Sequence, residues 1–176
     1  MKNLVIGQSG GPTAVINASL YGAVKAFKES GTDGHVLGMI NGIEGFLADH
    51  VMDLSTDLSD EELELLKLTP AAYLGSCRYK LPADLDSEVY PAIFDNFREM
   101  NIGYFLYVGG NDSMDTVDKL SRYAEKIGSD VKFIGIPKTI DNDLVLTDHT
   151  PGFGSAAKYV ASTVREIVLD ASVYQQ

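Results

Sequence analysis

The sequence predicts an α/β fold on a mostly parallel sheet, layered with helices on both faces, and three observations carry that reading. Apolar runs of strand length alternate with segments whose apolar residues recur at helical spacing. The runs are apolar throughout, the pattern of strands covered on both faces. Three of them stop at a glycine or proline and lead into a polar loop, the position at which such sheets bind ligands.

In chain order, Leu4-Val5-Ile6 is a strand stopped by Gly7, and residues 12–28 form a helix. Gly31 to Gly34 is a turn, 36–40 a second strand, and 41–45 a glycine-containing loop. Residues 49–60 read as a peripheral loop. Ser59 and Glu62 have capping-box spacing and open a short helix that must end before Pro70. Val89, Ile93 and Phe97 place an amphipathic helix over 87–100. A buried strand over 104–108 stops at Gly109-Gly110, and a helix over 114–127, with Ser113 as a candidate cap, ends at Gly128. A further buried strand over 133–136 stops at Pro137, an irregular loop runs to Pro151, and a last helix covers 155–169.

The 176 residues amount to one domain, which buries roughly 70% of the surface its unfolded chain exposes. Cys77 is the single cysteine, so there is no disulfide framework, and His35, His50 and His149 are too scattered to form a zinc site with it. Cys77 reads as a small core filler in a reducing compartment. No basic, apolar leader follows Met1, and no apolar run approaches the ~20 residues that cross a bilayer, so a soluble, cytoplasmic protein is expected. Fourteen Lys and Arg against 25 Asp and Glu leave a net charge of −11, which disfavours nucleic acid and anionic membrane as partners. A phosphate site must then be built locally from amides, a few cations and a divalent metal.

Three loops supply those groups. Gly7-Gln8-Ser9-Gly10-Gly11-Pro12-Thr13 follows the first strand; its adjacent glycines let backbone amides approach an anion, although a tight packed turn would use the same residues. Gly109-Gly110-Asn111-Asp112-Ser113 again opens a helix, with more glycine than a cap requires; Asn111 or Asp112 either caps the helix or faces a metal. Pro137-Lys138-Thr139-Ile140-Asp141-Asn142-Asp143 packs a cation, a hydroxyl and paired acids beyond a strand end, a mixture that an Asx-rich turn does not require. Two nearby carboxylates can divide metal binding from proton acceptance. A fourth segment, Gly75-Ser76-Cys77-Arg78-Tyr79-Lys80, reads in isolation as a solvated basic turn, with Arg78 offering a planar fork to phosphate. The glycine pattern at 152–157 lacks a preceding strand, and the glycosylation triplets at Asn17 and Asn111 lack a secretory context. Together the loops read as a Mg²⁺-assisted phosphate site suited to phosphoryl transfer.

In order and spacing, Ser9-Gly10-Gly11, Gly75-Ser76-Cys77-Arg78, Gly109-Gly110-Asn111-Asp112-Ser113 and Pro137-Lys138-Thr139-Ile140-Asp141-Asn142-Asp143 resemble the 6-phosphofructokinase family over essentially the whole chain. The resemblance implies a Rossmann-like layered sandwich. It makes residues 1–176 a single α/β domain, the amino-terminal portion of a longer two-domain enzyme that assembles as a homodimer or homotetramer. It implies that Asp141 takes the proton of the sugar's 1-hydroxyl, with Lys138 and Thr139 completing the catalytic set. Thr139, Asp141 and Asp143 would bind fructose 6-phosphate, and Gly10, Gly11, Arg78, Gly110 and Asp112 the phosphoryl donor. Where many members have a metal-associated aspartate this chain has Asn111, so the implied Mg²⁺ falls to Asp112, through water, with Asn111 beside it.

ATP-using members of that family typically carry glycine at the position of Asp112 and often at that of Lys138, whereas pyrophosphate-using members resemble this chain at both. An aspartate there takes up space and repels charge where the α-phosphate of ATP would lie. The lysine favours a small, highly charged donor. Pyrophosphate and fructose 6-phosphate are the expected substrates, with the ATP-dependent reaction as the nearest alternative. A non-catalytic phosphate-binding module would not need Asp141, and a NAD- or lipid-kinase relative would share the paired glycines but not the 138–143 loop.

Overall fold

The computed structural model describes residues 2–174. The apolar runs become β1 (Asn3–Gln8), β2 (Val36–Met39), β4 (Ile102–Gly109) and β5 (Lys132–Pro137), joined by the short β3 (Val51–Asp53). They form one sheet in the order β3-β2-β1-β4-β5, parallel except for β3, which runs antiparallel to β2 at the edge. The fold is therefore the α/β layered type with a mostly parallel sheet. The helices are α1 (Ile16–Glu29), α2 (Gly42–Leu47), α3 (Asp60–Leu65), α4 (Val89–Glu99), α5 (Asn111–Ile127) and α6 (Phe153–Ala171). No described helix is long and apolar enough to cross a membrane.

Strand order explains where a site can form. From β1 the chain moves through α1 to β2 on one side, and from β4 it moves through α5 to β5 on the other, so the crossovers diverge between β1 and β4. The loops leaving those two adjacent strands must splay apart and leave a crevice. Each face of the sheet has its own core. Ile16, Leu20 and Val24 of α1 meet Leu4, Ile6 and Val36 on one side, together with Leu63 of α3. On the other, Phe94 and Phe97 of α4 and Leu120 and Tyr123 of α5 close over Val5, Phe105 and Tyr107. Phe97 sits 5.7 Å from Phe105 and 5.1 Å from Phe94, ring centre to ring centre. Burying each such side chain contributes about 1.5–3 kcal/mol, which fixes the strands on which the loops stand.

Several boundaries differ from the sequence reading, each for a local reason. Segment 41–45 is not a loop: it enters the six-residue α2, which opens with Asn41 in the left-handed region (φ 60°). Its glycines hide the helix in the sequence, yet Gly45 is required because a Cβ there would collide with the Ile40 carbonyl. Segment 49–60 contains β3, whose three residues are too few for a recognisable period. Helix α1 begins at Ile16, not at residue 12, because 10–13 is spent on the turn. Helix α5 begins earlier, at Asn111, with an extended Gly110 as its N-cap. Ser113 caps nothing; it is buried in the first turn, its Oγ pressed so closely on Gly109 that a Cβ there would clash. The capping box at Ser59 forms as expected, with Ser59 and Glu62 bonding reciprocally. Two elements are less covered than their composition suggests. Strand β5 alternates between exposed and half-buried residues, with Ile134 53% exposed, and α6 buries none of its residues.

Candidate functional site

Beyond the carboxyl ends of β1, β4 and β5 lies a cleft of about 630 Å³. It is lined by Gly10, Gly11, Arg78, Lys80, Gly110, Asn111, Asp112, Lys138, Thr139, Asp141 and Asp143, among others. Every residue singled out above for donor, sugar, metal or proton chemistry is among them. The larger half of that convergence follows from topology: β1 and β4 are hydrogen-bonded neighbours, as are β4 and β5, so their exits are adjacent.

The glycine turn after β1 is held from three sides. Gly10 adopts φ 74°, a backbone conformation that disfavours any side chain, and its N–H donates to the Cys77 carbonyl at 3.1 Å. Ser76 Oγ donates to the Gly10 carbonyl at 2.6 Å, and the Ser9 N–H donates to the Val108 carbonyl at 2.9 Å. Segment 75–78 is thus a brace for the turn, not a loose basic loop, and it delivers Arg78 to the cleft. At the base of the turn, buried Gln8 donates to the Ile16 carbonyl and to Asn17 Oδ1 at 3.2 and 3.0 Å, while its own Oε1 accepts from the Leu74 N–H at 2.9 Å. One polar side chain at the end of an apolar strand joins β1, α1 and the brace. Beneath the brace, Tyr107 Oη lies 3.6 Å from Cys77 Sγ, and burial pushes the Tyr107 phenol well above its ordinary pKa. Cys77 is buried there as a filler, in agreement with its reading from the sequence.

Lys138 occupies the middle of the cleft floor. Its N–H donates to the Gly109 carbonyl at 2.9 Å, and its Nζ reaches back to the Gly11 carbonyl at 2.6 Å, so one residue ties the exits of β1, β4 and β5 together. Only 3% of its surface is exposed. Burial, and then the positive charge of Arg78, lower the Lys138 pKa, while Asp141 opposes the shift. A cation in so tight a place is costly unless an anion joins it, so the floor is prepared for negative charge.

Thr139 through Thr150 form a closed lobe. Thr139 donates its N–H to the Pro151 carbonyl at 3.0 Å and accepts at its own carbonyl from Thr150 Oγ1 at 2.9 Å. Asn142, at φ 55°, receives the Thr150 N–H at 2.9 Å and donates to the Asp148 carbonyl at 3.1 Å. Within the lobe, the Asp141 N–H donates to Thr139 Oγ1 at 3.0 Å, a turn that presents the Asp141 carboxylate to the cleft.

At the cleft mouth the acids are already engaged. Asn111 Nδ2 donates to an Asp143 oxygen at 2.7 Å, and Lys80 Nζ lies 3.0 Å from an Asp112 oxygen. Among the described residues no group of three or more His, Cys, Asp and Glu is placed to hold a metal by itself. An oxygen-only set of Asp112, Asn111 and neighbouring acids suits Mg²⁺ all the same, because that ion keeps several waters and shares one or two carboxylates with substrate phosphates. Reading the sequence alone assigns no role to Lys80, Gln8 or Ser76. The available signal for Gln8 was a polar residue closing an apolar run; for Lys80 there was only its spacing of two from Arg78.

Residues 3–176 match the sequence profile of the family described as Phosphofructokinase. The chain is 46% identical over 171 residues to a pyrophosphate–fructose 6-phosphate 1-phosphotransferase from Halomonas elongata, covering 96% of this chain and 40% of that protein. It is 40% identical over 167 residues to a sulfofructose kinase from Alkalicoccus urumqiensis, covering 95% of this chain and 42% of that protein. Among solved structures, a pyrophosphate-dependent phosphofructokinase from Nitrosospira multiformis superposes with a TM-score of 0.89 at 42% identity, over 96% of this chain and 42% of that one. The chain spans about 40% of the length of the curated pyrophosphate-dependent relative it matches. It belongs to the phosphofructokinase family.

Proposed function

We propose that this chain carries the donor-binding and proton-abstracting part of a pyrophosphate-dependent phosphotransferase that phosphorylates the 1-hydroxyl of fructose 6-phosphate. The observation that carries the reading is the pairing of Lys138, buried on the cleft floor beneath two glycine turns, with Asp112 at the mouth. A small, highly charged donor gains most from a desolvated ammonium and bare backbone amides. A nucleotide donor would have to pass its further phosphate and nucleoside over the Asp112 carboxylate. The similarity to pyrophosphate-dependent relatives supports the same choice. Pyrophosphate lies against Gly10, Gly11, Gly110 and Arg78, with Lys138 countering the charge that develops on the transferring group. Asp141 accepts the proton as the sugar oxygen bonds to phosphorus and the bridging P–O bond breaks, releasing orthophosphate. Thr139 and Asp143 orient the sugar. Asp112, with Asn111 beside it, would hold Mg²⁺ through water, and the ion would supply further neutralisation of the phosphates. The chain acts as one domain of a longer, two-domain, homo-oligomeric enzyme, in line with its spanning about 40% of a relative's length.

Donor assays on the intact enzyme test this. Turnover with pyrophosphate should exceed turnover with ATP, and Asp112→Gly combined with Lys138→Gly should raise the relative use of ATP. Faster wild-type turnover with ATP removes the donor assignment. A sulfonated fructose is the second reading for the acceptor, favoured by the sulfofructose kinase similarity. Comparing kcat/KM for the two sugars at saturating donor separates them.

A further inference from the structure

Lys80 and Asp112 form an ion pair that the donor reading leaves unused. The lysine stands on the brace segment beyond Arg78, and the aspartate stands in the first turn of α5, so their 3.0 Å contact spans the cleft from one wall to the other. Among the described residues it is the one ion pair whose two members both line this cleft. Both side chains are about 70% exposed, at 70% and 72%. An exposed pair of this kind contributes little to folding and is readily screened by salt. Its geometric effect is larger than its energetic one. Asp112 has a short side chain on a rigid helix turn, whereas Lys80 has a long one anchored to a brace whose neighbours Ser76 and Cys77 hydrogen-bond to Gly10. The contact therefore draws the carboxylate toward the brace and across the mouth, and it places an ammonium where an incoming anion passes. A carboxylate alone at a phosphate site would repel every donor. With the ammonium beside it, the repulsion is local: it acts on groups that must lie over the mouth and not on the phosphates below.

We propose that Lys80 is a specificity-determining residue for the phosphoryl donor, holding the Asp112 carboxylate across the cleft mouth so that a two-phosphate donor enters and a nucleotide-bearing one is refused. The inference rests on the pyrophosphate reading above. The quantity to measure is the ratio of kcat/KM for pyrophosphate to kcat/KM for ATP in the intact enzyme, for wild type, Lys80→Ala, Lys80→Arg, Asp112→Ala and the Lys80→Ala/Asp112→Ala double variant. Both positions are exposed, so the variants fold. Lys80→Ala should lower the ratio about tenfold, mainly through the donor KM, and leave the KM for the sugar phosphate within about twofold. Lys80→Arg, which keeps the charge and the reach, should stay within about threefold of wild type. With Asp112 already removed, Lys80→Ala should change the ratio by less than about twofold, because the two residues act as one unit. A Lys80→Ala ratio equal to that of wild type, or a shift of the same size with and without Asp112, overturns this inference alone. A wild-type ratio below one overturns the donor reading and this inference with it.

Discussion

Val5 and Ile6 on β1 and Phe105 and Val108 on β4 are wholly shielded from solvent, whereas Ile134 on β5 is 53% exposed and Val164 and Ile167 on α6 are 53% and 62% exposed. All of these are apolar residues in regular elements. The first group lies on strands with a neighbour on each side and a helix layer on each face; the second lies on a strand with one neighbour and on a helix that buries nothing. Apolar periodicity states that a face needs cover, not which part of the fold supplies it. The difference also bears on the proposed site. The groups proposed to hold the donor, Gly10, Lys138 and the Arg78 brace, are bonded to backbone of the shielded strands and their exits.

The contrast can be broken or sharpened by substitution. The largest effect is expected on the reaction with the fold untouched: Asp141→Asn should lower turnover by about 10²–10⁴ while the thermal melt stays in place, since its side chain lies in the cleft and not in either core. Steady-state kinetics beside circular-dichroism melts decide it, and retained turnover removes Asp141 as the base. Next, Phe97→Ala in the aromatic cluster beneath β4 should cost about 3–5 kcal/mol of unfolding free energy. Ile167→Ala on α6, measured in this same chain by denaturant titration, should stay within about 0.5 kcal/mol. Equal costs would mean that the two regions do not differ in packing after all.

The smallest effect is a pH dependence. Burial, with Arg78 second, holds the Lys138 pKa below its ordinary 10.5, so the unfolded chain binds this proton more tightly than the folded one. The folded state is penalised while both forms are protonated, and the penalty is relieved as pH rises through the lowered pKa toward 10.5. Lys138→Met should abolish that alkaline gain in stability, seen as the difference in melting temperature between neutral and alkaline pH. In the wild type, pyrophosphate affinity should fall over the same range, as the ammonium loses its proton.

The strand-end loops were legible because their chemistry is local. Two adjacent glycines before a helix, or a lysine followed by a threonine and two aspartates after an apolar run, are unusual whatever the rest of the chain does, and each sits where β1, β4 and β5 stop. The capping box at Ser59 was legible for the same reason. Helix α2 and strand β3 were not, since six and three residues are shorter than the periods that would reveal them. The exposure of β5 was not legible either: Phe133-Ile134-Gly135-Ile136 has the composition of a central strand, and nothing within it reports that its far edge has no neighbour.

Hydrophobic period, glycine placement and the mixture of charges after each strand determined by themselves the α/β class, the order of the longer elements and the three strand-end loops, because these depend on contacts within one turn or one strand. Tertiary structure decided which strands became central and how the 75–80 segment turned into a brace. It also set Lys80 against Asp112 and Asn111 against Asp143. Those pairings join residues some thirty positions apart, and only the order of strands in the sheet, which the burial of two opposite faces selects, brings them within bonding distance.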